Sequence, residues 1–179
     1  MKLVEDGDVD AIMNLSYTKE RSEFMYFIGP IRDETVALIV PEGSNYSINS
    51  LDDLKKLPGT VGKVNGAYYG AELSNKIAED KSFSESIHLV TNSAQLAPML
   101  RKSRIAAFMI NSDDFYYKLR TDASFKGLKA HAFPISQSHL FFGFSKASVS
   151  EQLNTKLKQA YERAKSKGKF DGVIESYKK

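Results

Sequence analysis

Short apolar runs alternate along most of this chain with segments whose apolar residues have helical spacing. Between residues 60 and 119 this alternation is typical of an α/β domain with a mainly parallel sheet. The run Ile105 to Ile110 is apolar throughout, so it predicts a strand that is buried on both faces. The pattern predicts strands over residues 9–13, 34–40, 60–64, 87–90, 105–110, 130–133 and 139–144 and helices over 18–24, 50–56, 69–77, 95–102, 113–119 and 153–164, with a short closing helix that turns Phe170, Val173 and Ile174 inward.

Proline and glycine are predicted to interrupt or end several of these elements. Gly29-Pro30 divides the apolar stretch 25–31, and Pro41 ends the strand that precedes it. Pro134 to Ser136 separate the last two predicted strands. We therefore expect breaks in the chain at these positions.

The composition is that of an ordinary globular protein. The chain has 179 residues, a length that allows one core or two small lobes, and 42% of them are hydrophobic. The formal net charge is +3 with scattered Lys and Arg, so nucleic-acid binding is not indicated. Cysteine is absent, so disulfides and Cys-ligated metals are excluded, and the three His show no metal-ligand spacing. The first residues carry no apolar segment of a secretory signal, and no run is long enough for a membrane span.

Residues 9–21 carry the clearest candidate chemistry. An apolar strand runs into a polar loop with Asn14 and Ser16, and Thr18 then stands in N-cap position of a short helix that contains Arg21. Hydroxyl, amide and guanidinium donors at the end of a strand suit a carboxylate, because Arg offers a planar fork of donors. The alternatives are an Arg21 paired with a glutamate of its own helix, and loop capping by Asn14 and Ser16.

A second candidate site follows the strand 60–64. Gly66, Ala67 and Tyr68 lie where this strand is predicted to turn into a helix, so their backbone N–H groups can face an anion. Tyr68 or its neighbour Tyr69 is expected to cover part of a ligand or to pack in the helix core. The glycine spacing lacks a nucleotide-binding fingerprint, so no nucleotide or other cofactor is expected.

Asn111 is the third candidate. It follows the buried strand 105–110, where the sheet of an α/β protein commonly binds ligands. Its side chain is placed either to bond a ligand or to cap the helix that begins near Asp113.

Several motifs of this sequence resemble one family in the same order. Asp10, Ala11, Thr18 and Arg21 match the D-A-x-x-x-x-x-x-T-x-x-R core of the family-3 periplasmic solute-binding proteins, the polar amino-acid binding subunits of ABC importers. Further segments resemble this family's F-s-x-P-Y, s-l-x-D-L-k-g, v-G-v-x-x-G-t-t and L-x-x-G-R-i-D-a motifs, namely 27–31, 50–55, 61–68 and 100–106.

The resemblance implies a type II periplasmic-binding-protein-like α/β fold with two lobes. Residues 1–40 and 137–179 would form lobe 1 and residues 44–133 lobe 2, with crossings near 40–44 and 133–137. It also implies a non-enzymatic binding module that holds a small carboxylate-bearing ligand in an interlobe cleft, located in the periplasm, with an ABC permease as partner. Arg21 and Ser16 would hold the carboxylate, and Gly66 to Tyr68 would close on it from the other lobe.

The sequence departs from the family in two respects. The opening βαβ unit of the family is not part of this sequence, so lobe 1 is expected to be truncated, to be completed by dimerisation through an exposed sheet edge, or to have been shortened by the choice of gene start. The acidic residue that pairs with a ligand ammonium falls on Asn111, and Ala67 and Tyr68 replace hydroxyl residues. An amide cannot neutralise an ammonium, so the ion pair that the family makes with a ligand ammonium is not expected at Asn111.

Two alternatives from other functional classes remain at this point. The same fold occurs in prephenate- and arogenate-type dehydratases, for which Glu42, Glu72 and Asp113 would be the candidate general acids. The fold also serves as a sensory domain of receptors, in which case the ligand site could be vestigial.

Overall fold

A computed structural model describes residues 1–171 of the chain. It divides into two units: Met1–Glu34 with Ser138–Lys179 form the first, and Thr35–Gln137 form the second. Two long strands, β2 and β6, each have residues in both units.

The elements follow the alternating order that the hydrophobic pattern predicts. The helices are α1 (Lys2–Glu5), α2 (Lys19–Phe24), α3 (Ala71–Glu79), α4 (Lys81–Glu85), α5 (Leu96–Arg101), α6 (Ser112–Thr121) and α7 (Glu151–Ser166). The strands are β1 (Ala11–Ser16), β2 (Met25–Pro41), β3 (Val61–Val64), β4 (Ile87–Val90), β5 (Ala107–Asn111) and β6 (Leu128–Ser145), and short 3₁₀ helices cover Leu51–Lys56, Ser93–Gln95 and Ala123–Phe125.

The second unit is built on a sheet in the order β2-β5-β3-β4. Strand β3 pairs in parallel with β4 and β5, whereas β2 pairs antiparallel with β5. Ala107 and Met109 of β5 lie in one buried cluster, and Phe108 and Ile110 lie in another. The predicted burial of this strand on both faces is therefore confirmed, as is the α/β class.

Among the residues that the structure describes, the first unit has a smaller buried cluster. Strand β1 pairs antiparallel with β6. In the sheet, β6 lies between β1 and β2. The buried cluster of this unit contains Val4, Leu15 and Met25, with a few half-buried neighbours. Leu3 and Met13 are 59% and 67% exposed. Within the described residues, this cluster therefore contributes less apolar burial than the clusters of the second unit.

The last predicted helix is present as α7. Tyr161 of this helix is buried, and its hydroxyl donates a hydrogen bond of 2.7 Å to the carbonyl of Pro30. The ring of Phe170 lies 5.3 Å from that of Tyr161, as expected for an inward residue. Val173 and Ile174 lie outside the described residues.

Two predicted interruptions are wrong. Gly29-Pro30 lies inside β2 and Pro134 inside β6, and both strands are continuous. Proline removes one N–H from a ladder but has a φ angle that an extended chain can adopt, so one residue need not end a strand.

The predicted strand 9–13 is displaced along the sequence. It runs over Ala11–Ser16, so Asn14 and Ser16 belong to the strand and not to a loop after it. Asn14 has a φ of +56°, and the pairing with β6 shifts register between Ile12 and Leu15. A bulge of this kind lets the strand continue past a polar residue that local patterning assigns to a loop.

Charged side chains connect three helical segments of the second unit. Asp80 caps α4 by accepting from the Phe83 N–H at 3.0 Å and from the Ser82 hydroxyl at 2.6 Å, and it accepts from Lys55 at 3.0 Å. Asp52 pairs with both Lys55 and Lys76. The Ser82 hydroxyl, the Phe83 N–H and Lys55 together hold the pKa of Asp80 well below its usual range.

We expect Asp80→Asn to make the protein less sensitive to acid. A carboxyl with a depressed folded-state pKa stabilises the fold above its unfolded pKa of about 4, and this stabilisation is lost as the pH falls through the folded-state pKa. Melts followed by circular dichroism at pH 7, 4 and 3 should show a smaller loss of melting temperature below pH 4 in this variant than in the wild type. The exposed neighbour Glu79 supplies the control, Glu79→Gln. Parallel acid profiles for Asp80→Asn and the wild type would contradict this assignment.

We expect Gly62→Ala to destabilise the second unit by about 1–3 kcal/mol through overpacking. A Cβ at this position of β3 would lie 2.7 Å from Leu96 Cδ2 and 2.9 Å from Ile105 Cδ1. Gly43→Ala is the matched control, since a Cβ there meets no atom within 4 Å. Urea unfolding of the two variants measures the difference, and equal midpoints would show that the core relaxes around the added methyl group.

Candidate functional site

Arg21 is held in place by the segment that precedes it. Thr18 is the N-cap of α2 and accepts a hydrogen bond of 3.2 Å from the Arg21 N–H, which confirms the predicted cap. The guanidinium Nη1 donates to the carbonyl of Ser16 at 2.8 Å. Two bonds from opposite ends of the residue, one to its backbone and one to its side chain, therefore fix Arg21 beside the end of β1.

Three aromatic rings lie next to this arginine segment. Tyr17 follows Ser16 directly, and its ring packs edge-on at 5.0 Å from Phe27 and 6.5 Å from Phe141. Tyr17 is 53% exposed, so the cluster offers an aromatic face to solvent. Phe27 stands in one of the motifs that resemble the family, but nothing in the linear pattern links Phe141 to Tyr17 or Phe27.

The described contacts of Asn14 and Ser16 differ from the expected cluster of side-chain donors around Arg21. The amide oxygen of Asn14 accepts from Arg32 Nε at 3.4 Å, so the described contact of this side chain is with Arg32 and not with Arg21. Ser16 pairs with Leu140 in the sheet and bonds Arg21 through its backbone carbonyl. Both residues thus help to shape the segment that ends at Arg21.

The turn at Gly66 is the candidate site of the second unit. Gly66 has a φ of +72°, and the Ala67 N–H closes the turn on the Val64 carbonyl at 3.3 Å. The expected direct passage from strand to helix is wrong, because α3 begins at Ala71 and its N-cap Gly70 has a φ of +101°. The amides of 66–68 are therefore not part of a helix N-terminus, and that of Ala67 is committed to the turn.

Lys63 lies beneath this turn and was not among the predicted residues. It is 9% exposed, and its ammonium donates to the carbonyls of Val64 at 3.2 Å and Ala67 at 2.7 Å. The Tyr69 ring centroid lies 5.1 Å from Nζ, a cation–π distance. Burial lowers the pKa of Lys63 from its ordinary value. The position of Lys63 within an otherwise apolar strand is the feature of the sequence that could have indicated its burial.

Asn111 caps a helix, which was one of the two alternatives for this residue. Its side-chain oxygen accepts from the N–H groups of Asp113 at 2.8 Å and Asp114 at 3.4 Å, at the start of α6. It ends β5, where it pairs with Val36 of β2. The capping bonds fix the orientation of its carboxamide.

The three candidate acids of the dehydratase alternative belong to the second unit. Glu42, Glu72 and Asp113 are all exposed to solvent. Among residues 1–171 no cluster of His, Cys, Asp or Glu side chains has the arrangement of a metal site. No helix in the same range has the length and apolar character to cross a membrane.

A groove of about 470 Å³ lies elsewhere in the second unit. It is formed by the segments 46–49 and 131–134, and none of the predicted site residues lines it. His131 in this groove is oriented by two bonds: Nδ1 accepts from the Phe133 N–H at 3.0 Å, and Nε2 therefore donates to the Tyr46 carbonyl at 3.1 Å.

The whole chain, residues 1–179, matches the family described as bacterial extracellular solute-binding proteins, family 3. The chain belongs to this family. A comparison with curated proteins gives no match.

Solved structures of solute-binding and sensor domains share the fold. The ligand-binding core of GluR0 in complex with L-glutamate is similar with a TM-score of 0.79 and 17% identity, over 98% of this chain and 75% of that one. A histidine kinase sensor domain gives 0.77 and 13%, over 98% and 72%. The arginine-, lysine-, histidine-binding protein ArtJ from Geobacillus stearothermophilus gives 0.73 and 19%, also over 98% and 72%. The type II periplasmic-binding-protein-like fold expected from the motifs is thus confirmed.

We expect Asn14→Ala to destabilise the first unit and Asn14→Gly to be tolerated better. A side chain other than Asn or Asp at a positive φ costs about 1–2 kcal/mol, which glycine avoids. Both variants lose the bond to Arg32, so their difference isolates the backbone cost. Thermal melts measure it, and equal stabilities of the two variants would contradict a strained bulge at this position.

Proposed function

We propose that this chain binds a small carboxylate-bearing ligand, an amino acid or a related metabolite, without transforming it. Arg21 is the observation that carries the proposal. A guanidinium is a planar fork of five donors, and the bond to the Ser16 carbonyl fixes the plane of that fork. A cation oriented before the ligand arrives loses less conformational entropy on binding. The exposed ring of Tyr17 would contact the apolar part of the ligand.

Residues of the second unit complete the proposed site. We assign ligand contacts to the Gly66–Ala67–Tyr68 turn through its backbone and to Asn111 through its amide, together with Asn14 and Ser16 as supports of Arg21. Family membership supports this assignment, and so do two similar structures, one with bound L-glutamate and one named as an arginine-, lysine- and histidine-binding protein. Each of those ligands carries an α-carboxylate.

The proposed cellular role is that of the substrate-binding subunit of an ABC importer, located in the periplasm, with a permease as partner. A similar structure is a substrate-binding protein of an amino acid ABC transporter. A ligand-sensing domain of a receptor is the second candidate. It is favoured by the capping role of Asn111, which replaces an acidic group, and by the likeness to a histidine kinase sensor domain.

We expect Arg21→Ala to abolish ligand-dependent stabilisation. At about a hundredfold excess over its Kd, a ligand should stabilise the wild type by about 2.7 kcal/mol in a thermal-shift panel of amino acids and dicarboxylates. Loss of a buried charged partner costs roughly 2–5 kcal/mol of binding free energy, so the shift should disappear. Arg120→Ala, a change to an exposed arginine of α6 to which no ligand contact is assigned, is the control and should leave the shift in place.

A shift that persists in Arg21→Ala would refute the site, and a wild type that no member of the panel stabilises would argue for the sensory alternative. Mass spectrometry of the ligand recovered after incubation tests whether the protein leaves it unchanged. A ligand of altered mass would show turnover and contradict a purely binding function.

A further inference from the structure

Lys146 completes the C-terminal end of α2. The last four carbonyls of a helix have no partner within the helix and must accept hydrogen bonds from elsewhere. In α2 the Arg21 carbonyl accepts from the N–H of the C-cap residue Met25. The other three accept from Lys146, whose backbone N–H lies 2.9 Å from the last of them and whose ammonium lies 2.6 and 3.3 Å from the two before it. These three carbonyls belong to Ser22, Glu23 and Phe24.

Such support matters because α2 is short. It has six residues, whereas isolated helices shorter than about 12–15 residues are marginal in water. Thr18 holds its N-terminal end by capping, and Lys146 holds its C-terminal end. The ring centroid of Tyr26 lies 5.5 Å from the ammonium, a cation–π distance that favours the same position of the lysine. Arg21 lies between the two held ends of the helix.

The strand before Lys146 is also tied to the strand that receives Arg21. β6 ends at Ser145, whose N–H donates to the carbonyl of Asp10 at 2.8 Å, directly before β1. β1 ends at Ser16, whose carbonyl accepts from the Arg21 guanidinium at 2.8 Å. The pairing of β1 with β6 therefore sets the distance between Lys146, which holds the helix, and Ser16, which holds the arginine side chain.

From this arrangement we propose that Lys146 is a positioning residue for Arg21. By holding the C-terminal end of α2, it keeps the backbone of Arg21 at the distance from Ser16 at which the guanidinium bonds that carbonyl. The inference rests on the proposed function and adds to it a residue that acts through Arg21 and not by touching the ligand. An arginine whose direction is already fixed loses less side-chain freedom when a carboxylate binds.

Lys146→Met tests the positioning of Arg21 without a ligand. The variant keeps the backbone bond to Phe24 and loses the two bonds of the ammonium. In nuclear magnetic resonance relaxation, the order parameter of the Arg21 Nε–H should fall to the range of a flexible N–H group, below about 0.6. The measurement is made well below the melting transition, where a loss of stability alone does not change this value. An unchanged order parameter would overturn the proposal.

Two further variants separate the bonds of Lys146 from a general effect of removing a lysine. Lys165→Met is the matched control, because Lys165 is an exposed lysine of the same unit and its ammonium also lies over an aromatic ring, that of Tyr161 at 5.7 Å, but it belongs to α7. It should leave the order parameter of Arg21 unchanged. Lys146→Arg should restore it, since a guanidinium can donate to two carbonyls. An equal fall in both methionine variants, or no recovery with arginine, would contradict the positioning role.

Binding measurements distinguish this inference from the proposed function. Isothermal titration uses L-glutamate, L-glutamine and L-arginine as probes. A probe that binds the wild type should bind Lys146→Met about three- to tenfold more weakly, because an arginine that is mobile before binding must be immobilised. Equal affinities would overturn the role of Lys146 in binding and leave the proposed function in place. If none of the probes binds the wild type, the proposed function fails, and the order parameter of Arg21 decides whether Lys146 positions that side chain.

Discussion

The burial of strand β5 on both faces is the constraint on which the second unit depends. Ala107 and Met109 fill one cluster while Phe108 and Ile110 fill the other, so the strand cannot shift by one residue without exchanging the two sets. Its register also sets the position of its neighbours. β3 must pass close to α5, which leaves no space for a side chain at Gly62. The end of β5 and the turn after β3, where the candidate ligand contacts lie, are positioned by this packing.

The first unit positions its candidate residues by a different means. Its buried cluster is small, and Arg21 is oriented by local hydrogen bonds from Thr18 and to Ser16. Such bonds contribute roughly 1 kcal/mol each but specify direction well. The same unit leaves Leu3 and Met13 largely exposed. The position of the Arg21 side chain is therefore defined by local hydrogen bonds and does not require a large apolar cluster around it.

Sequence reasoning predicted the elements whose signals are local. The strand Ile87–Val90 was predicted with its observed bounds, and Thr18 was identified as a cap, since a short apolar run or a hydroxyl before a helix depends on few neighbours. Prediction failed where contacts between distant parts of the sequence decide whether a segment is a strand or a loop. The proline at 30 was read as a break although the extended backbone continues through it, and the bulge at Asn14 exists only in the pairing with β6. The burial of Lys63 was not predicted, because a lysine in a strand usually lies at the surface.

Backbone carbonyls hold a cation in each of the two units. The Ser16 carbonyl orients the guanidinium of Arg21, and the carbonyls of Val64 and Ala67 hold the ammonium of Lys63. A carboxylate in the same place would fix a cation equally well but would also neutralise it, and an incoming anion would then have to compete with it. A carbonyl supplies a partial charge only, so the two carbonyl partners of Lys63 hold its ammonium in place without neutralising it. This arrangement supports the proposed capture of an anionic ligand at Arg21.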